Sequence, residues 1–103
     1  MTRYEAKIYA DKSEDEIRME MSKRGYNPQR IEEPAGAVYD PHKRPTNALL
    51  VFLEGSANVK VGDREYHCTA GDLLEIPGDH EQSAKVGDEG VVYLMTEVEL
   101  IGD

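Results

Sequence analysis

Apolar and polar residues are distributed differently on the two sides of Ala35. Residues 2–10 alternate, with Tyr4, Ala6 and Ile8 on one face and Arg3, Glu5 and Lys7 on the other, a period of two that predicts a half-buried strand. The next stretch, KSEDEIRMEMSKRGYNP, carries helix signals at both ends. Ser13 and Glu16 form a capping box, acidic residues fill the first turn, Lys23 and Arg24 fill the last, and Gly25 and Pro28 stop the helix. Ile17 and Met21 lie one turn apart and predict docking onto a sheet, whereas Met19 falls off that stripe, toward solvent or a second subunit.

From Ala35 the chain becomes a series of short apolar runs punctuated by Gly, Asp and Pro at roughly 8–12 residue spacing, the pattern of an antiparallel sandwich or barrel. Strands are predicted near 36–42, 47–54, 57–62, 64–69, 73–77, 81–86 and 91–99. EGS at 54–56, VGDR at 61–64, AGD at 70–72 and GDEG at 87–90 supply the Gly and Asp that chain reversals need. The segment ALLVFL, 48–53, is apolar on both faces, which predicts a central strand or one covered by another layer or subunit. On that ground a homodimer is expected.

Composition removes several classes of function. The 103 residues suit one domain with a single core. Twelve basic against 21 acidic residues leave a net charge of −9, which repels phosphate backbones and anionic membranes and argues against nucleic-acid binding. No apolar run of about 18 residues is present and the N-terminus is polar, so the expected compartment is the cytoplasm and no membrane partner is expected. Cys68 is the single cysteine, which leaves metal binding to His and carboxylates. On the strand at 64–69, Cys68 and Tyr66 share the face expected to be buried, and His67 and Glu65 the outer one.

The glycines and prolines resemble those of a single-domain cupin, a small jelly-roll β-barrel with two sequence motifs. The first motif, G-x5-H-x-H-x3-4-E-x6-G, is matched in spacing by Gly36, His42, Arg44, Ala48 and Gly55; the second, G-x5-P-x-G-x2-H-x3-N, by Gly71, Pro77, Asp79, Gln82 and Val86. Fifteen residues separate Gly55 from Gly71, a compact spacing like that of small bacterial cupins. The resemblance covers about residues 35–97 and implies an all-β, cupin-like antiparallel barrel. The strand and helix of residues 1–30 lie outside the motifs, as an N-terminal addition to a single domain spanning 1–103.

In metal-binding cupins the histidines and glutamate at these positions hold a transition metal. Here the same positions carry His42, Arg44, Ala48 and Gln82, so the resemblance implies a degenerate metal site and no cofactor is expected. A buried Arg44 needs a partner. Either it pairs internally, with Asp40 for example, or swings outward, or the barrel takes an anionic small molecule. In the last case Arg44 clamps the anion, His42 and Gln82 bond it, and Tyr39 or Tyr66 closes one side. The first alternative is a metal-dependent cupin enzyme, of dioxygenase or isomerase type, with a divalent transition metal rearranged around His42, His80 and Glu75 or Glu81. The second is a metal-free isomerase or epimerase using His42 near Asp40 with a tyrosine opposite. Exposed turn histidine is the plainer expectation for His80, and small buried hydrophobe for Cys68.

Overall fold

The computed structural model describes residues 2–98. In these residues the elements are β1 (Arg3–Glu5), α1 (Glu14–Lys23), β2 (Gln29–Glu33), β3 (Val38–Lys43), β4 (Asn47–Val61), β5 (Arg64–Thr69), β6 (Leu73–Ile76) and β7 (Glu81–Val98). All pairings are antiparallel, in the order β1-β6-β4-β7-β2, with β3 added on β7 and β5 on β4.

The long strands β4 and β7 organise the fold, running together from Asn47 opposite Val98 to Val61 opposite Gln82. The first half of β4 takes β6 as its other neighbour and the second half takes β5. Along β7 the change is from β3 to β2. A strand pair that changes partners midway bends from one sheet into the next, and the result is the jelly-roll barrel with one N-terminal helix that the sequence predicts.

Two expected reversals are absent. Residues 54–56 and 87–90 lie within β4 and β7, where the register slips: Gly55 is opposite Val91 and Ala57 is opposite Val86, so four residues of β7 bulge out against Ser56 alone. The backbone at Gly55 has φ +74°, and a methyl group there would overlap the Gly90 carbonyl. The glycines therefore mark the crossing point of two bent strands.

The N-terminal alternation also ends earlier than expected. β1 stops at Glu5 because the Lys7 amide donates to the Asp72 carboxylate at 2.8 Å, and Lys7 takes φ +60°. After this turn Tyr9 is buried, while Ile8, expected inside, is 43% exposed. β2 lies in a segment read as strandless, since QRIEE has one apolar residue among charges and gives almost no period-two signal. The last strand is described to Val98; residue 99 of the predicted strand lies outside the described residues.

Helix α1 begins at the expected capping box and ends in a Schellman arrangement, with the Gly25 amide donating to the Ser22 carbonyl at 2.9 Å and the Tyr26 amide to the Met21 carbonyl at 3.0 Å. Its buried stripe, Ile17 and Met21, packs with Tyr9 on Leu49, Val51, Leu73, Leu94 and Val98. On the other side of β4, Ala48, Leu50 and Phe52 face the barrel interior with Val59, Ile76, Val86 and Val91. Both faces of ALLVFL are thus covered within one chain, the outer by α1. The doubly apolar strand consequently gives no support to a second subunit.

Candidate functional site

The barrel interior holds a cavity of about 280 Å³. Its floor is apolar, made of residues no more than 8% exposed, among them Leu50, Phe52, Val59 and Ile76. Its polar wall comes from β3, the residue just beyond it, and the start of β7: Tyr39, His42, Arg44 and Gln82 all line the cavity. Ala48, the blank position of the first motif, lines it too.

Local structure explains why these side chains converge. Tyr39 is opposite Ala84 and His42 is opposite Gln82, so β3 advances three residues where β7 advances two. That bulge, at Asp40 and Pro41, returns His42 to the face already used by Tyr39; plain alternation would have turned it outward. Arg44, two residues on, keeps that face. Its backbone is tied to the turn of the second motif, where the Asp79 amide donates to the Arg44 carbonyl at 2.7 Å and the Gly78 amide donates to Asn47 Oδ1 at 2.8 Å. Asp79 has φ +62°, which explains why cupins place glycine at this position and why aspartate is tolerated.

His42 Nδ1 lies 3.0 Å from the Asp40 carbonyl oxygen. A carbonyl only accepts, so Nδ1 carries the proton and Nε2 is left for another partner. The Asp40 carboxylate does not take part in this bond. The Arg44 guanidinium is half-buried and donates to the Met95 thioether at 3.4 Å, a weak acceptor. Tyr93 lies next along the wall. Burial pushes its phenol above the ordinary value, the Glu33 charge adds to this, and the Arg44 charge works against it.

The remaining expected site residues lie elsewhere. Tyr66 does not line the cavity; its ring packs on Tyr4 at a centroid distance of 5.6 Å. β5 is on the far side of β4 from β7, and its inward-facing Cys68 and Tyr66 pack in and against the core cluster. His80 is exposed on the 77–80 turn, with Nδ1 donating to the Gly78 carbonyl at 2.9 Å. Glu75 is buried on the α1 side of the sheet in an ion pair with Arg3. His67 is exposed and bonds Asn58, and Cys68 is fully buried, as expected. Sequence reasoning missed Glu33, Tyr93 and Met95, which line the cavity. Val91, Tyr93 and Met95 repeat with period two, the one signal that points to Tyr93 and Met95.

A jelly-roll barrel whose two glycine-anchored motifs meet at one internal cavity is a small cupin-superfamily domain. The model of the AraC-like ligand-binding domain matches residues 30–101, well over half of the chain, and the chain belongs to that family. In fold it is similar to the cupin domain of Cnp3 from Schizosaccharomyces pombe, at 20% identity and TM-score 0.63, over 73% of this chain and 60% of that one. A cupin protein from Bacteroides fragilis is similar at 21% identity and TM-score 0.62, over 76% and 71%. An oxalate decarboxylase variant from Bacillus subtilis is similar at 23% identity and TM-score 0.61, over 68% of this chain and only 20% of that one. At such identities the likeness is one of fold. A search of curated proteins gave no match. No helix among the described residues is long and apolar enough to cross a membrane.

Proposed function

We propose that this domain is a non-catalytic binding module in which a fixed cation, Arg44, holds an organic anion where metal-binding cupins hold an ion. His42 and Gln82 are the hydrogen-bonding partners of the anion and Tyr39 stands at the rim. The observation that carries this reading is the state of Arg44: half-buried in the cavity wall, set against a thioether, and without an ion pair among the described residues. A cation so placed favours a carboxylate or phosphate oxygen over water.

The residues present do not suit a divalent metal. His42 offers one imidazole, Gln82 a neutral amide oxygen and Ala48 nothing, while Arg44 is always protonated. Its charge a few ångströms from a dication costs several kcal/mol at an effective dielectric of about 20. His80, Glu75 and Glu81, the residues expected to refill the set in a metal-dependent alternative, lie outside the cavity lining, and among the described residues no three of His, Cys, Asp and Glu are grouped so as to hold a metal ion. Acid–base catalysis has little more support, since His42 is oriented by a backbone carbonyl instead of a carboxylate.

Thermal shift against small carboxylates and inorganic phosphate tests the reading. Stabilisation is expected in the native protein and in His67→Ala, and should vanish in Arg44→Ala. Shifts that survive Arg44→Ala would refute the anion clamp. A stoichiometric transition metal in protein purified without an affinity tag would refute the metal-free site.

A further inference from the structure

We infer that the ligand is a monocarboxylate with a compact, unsubstituted apolar body, such as an arylalkanoate of roughly a dozen non-hydrogen atoms. This rests on the anion clamp proposed above and specifies what lies behind the carboxylate. Size comes first: a dry cavity of about 150 Å³ takes benzene, so one of 280 Å³ takes about twice that bulk.

Polarity decides the rest. Apart from the wall formed by Tyr39, His42, Arg44 and Gln82, the polar side chains at the cavity are Glu33, Tyr93 and Ser83. The floor is aliphatic and aromatic, and the two buried charged residues of the described chain, Asp72 and Glu75, do not reach the cavity. A hydroxyl buried against Leu50, Phe52, Val59 and Ile76 would lose its water without a partner, so each hydroxyl on the body works against binding. Sugar acids and other polyhydroxylated anions are thereby disfavoured.

Charge sets the number of carboxylates at one. Arg44 touches Met95, whereas Glu33 is opposite Val91, four residues away along β7 and roughly 13 Å by strand rise. The cavity wall therefore runs from a cation at one end to an anion at the other, with Tyr93 between. A second carboxylate at the far end of a ligand would be set against Glu33, a repulsive element that discriminates against dicarboxylates.

Isothermal titration with five probes tests the inference: 3-phenylpropanoate, its neutral isostere 3-phenylpropanol, 3-(4-carboxyphenyl)propanoate, gluconate and acetate. 3-Phenylpropanoate should bind at least tenfold more tightly than each of the others, and Arg44→Gln should weaken it by about tenfold or more, the effect of losing hydrogen bonds to a charged group. Ala57→Leu, which fills the cavity opposite Val86 and away from the polar wall, should weaken 3-phenylpropanoate while acetate binding is unchanged, with circular dichroism confirming that the variant is folded. Gluconate or acetate binding as tightly as 3-phenylpropanoate, with dependence on Arg44, would overturn this inference and leave the anion clamp standing. 3-Phenylpropanol binding as tightly as the acid, unaffected by Arg44→Gln, would overturn the clamp itself. Absence of binding by every probe at millimolar concentration would overturn both.

Discussion

Replacing Asp72 by Asn should remove a large part of the stability of this domain. Asp72 is 1% exposed in the turn between β5 and β6. Its Oδ1 accepts the Lys7 amide at 2.8 Å, and its Oδ2 accepts the Thr69 amide and the Tyr4 hydroxyl, each at 2.8 Å. The carboxylate is thus the joint between β1, paired to β6 through three residues, and the barrel. Burial alone would raise its pKa; the Thr69 and Lys7 amides, the Tyr4 hydroxyl and the Lys7 charge outweigh that and hold it below the usual carboxylate range. Asparagine keeps the shape but turns an N–H₂ toward at least one donor. Hydrogen bonds to a charged group contribute about 1.5–3 kcal/mol each, so the loss of one or two, with an unsatisfied buried amide, amounts to about 3–5 kcal/mol. Against a total of about 5–15 kcal/mol, and at about 4–8 °C per kcal/mol, Tm should fall by roughly 12–40 °C at pH 7. The sign with pH follows from the depressed pKa. The carboxylate's contribution is complete above its unfolded pKa, about 3.9, and disappears as pH falls through the folded value, while asparagine does not titrate. Circular dichroism melts from pH 7 to pH 3 should therefore show a constant gap between the two proteins down to about pH 5 and a narrowing gap below 4. A variant within 3 °C of the native protein at pH 7, or a gap that widens on acidification, would refute the reasoning.

Gly55→Ala should destabilise by roughly 2–5 kcal/mol, combining a left-handed backbone at φ +74° with overlap on the Gly90 carbonyl; urea titration checks this, and a change under 1 kcal/mol would show that the crossing is not tight. Cys68 is fully buried and its thiol is pushed up to about 12, by burial first and then by the Asp72 charge. It should resist a disulfide reagent at pH 8 in the folded protein and react with one equivalent in denaturant; rapid native reaction would contradict this placement. Ser13→Ala removes the side-chain half of the capping box and should cost about 0.5–2 kcal/mol, read as a drop in Tm, with Ser13→Gly milder. Because the chain carries a net −9, a carboxylate ligand is repelled at long range while Arg44 attracts it at contact. Raising salt from 20 to 200 mM should speed its association in stopped flow; slower association would mean that a local positive field dominates.

The barrel and its two motifs were legible in the sequence because each rests on backbone demands. Reversals, bulges and the close crossing of β4 and β7 require Gly or Asp at set intervals, and those residues are visible one at a time. Whether such a glycine turns the chain or lets two bent strands pass was not visible, since Gly55 and Gly90 meet only in three dimensions. The wall residues divide in the same way. His42, Arg44 and Gln82 could be found by spacing from the glycines. Glu33 could not, because β2 has one apolar residue, and Tyr93 is marked only by its alternation with Val91 and Met95, which does not by itself say that this part of β7 faces the cavity. That Tyr66 does not line the cavity was hidden for a related reason: an inward-facing residue of a barrel strand can serve the cavity or pack against the core beside it, and alternation does not distinguish them.

On the proposed reading, exchanging a metal for Arg44 changes when the cost of the central charge is met. A bound metal brings its charge after the barrel has formed, and its ligands can stay neutral or anionic without it. A guanidinium is carried by the chain and must be desolvated during folding, whether or not a ligand follows. Half-burial at the end of β3 and a soft thioether neighbour keep that cost modest while leaving the charge uncancelled. An internal carboxylate partner would have stabilised the empty barrel more, and by the same amount would have competed with any incoming anion. The absence of an ion pair at Arg44 among the described residues is therefore the feature that favours recognition over stability. It also predicts the linkage used in the assays: a ligand that binds only the folded barrel adds stability as RT ln(1 + [L]/Kd), so the gain should grow with ligand concentration and disappear with the cation.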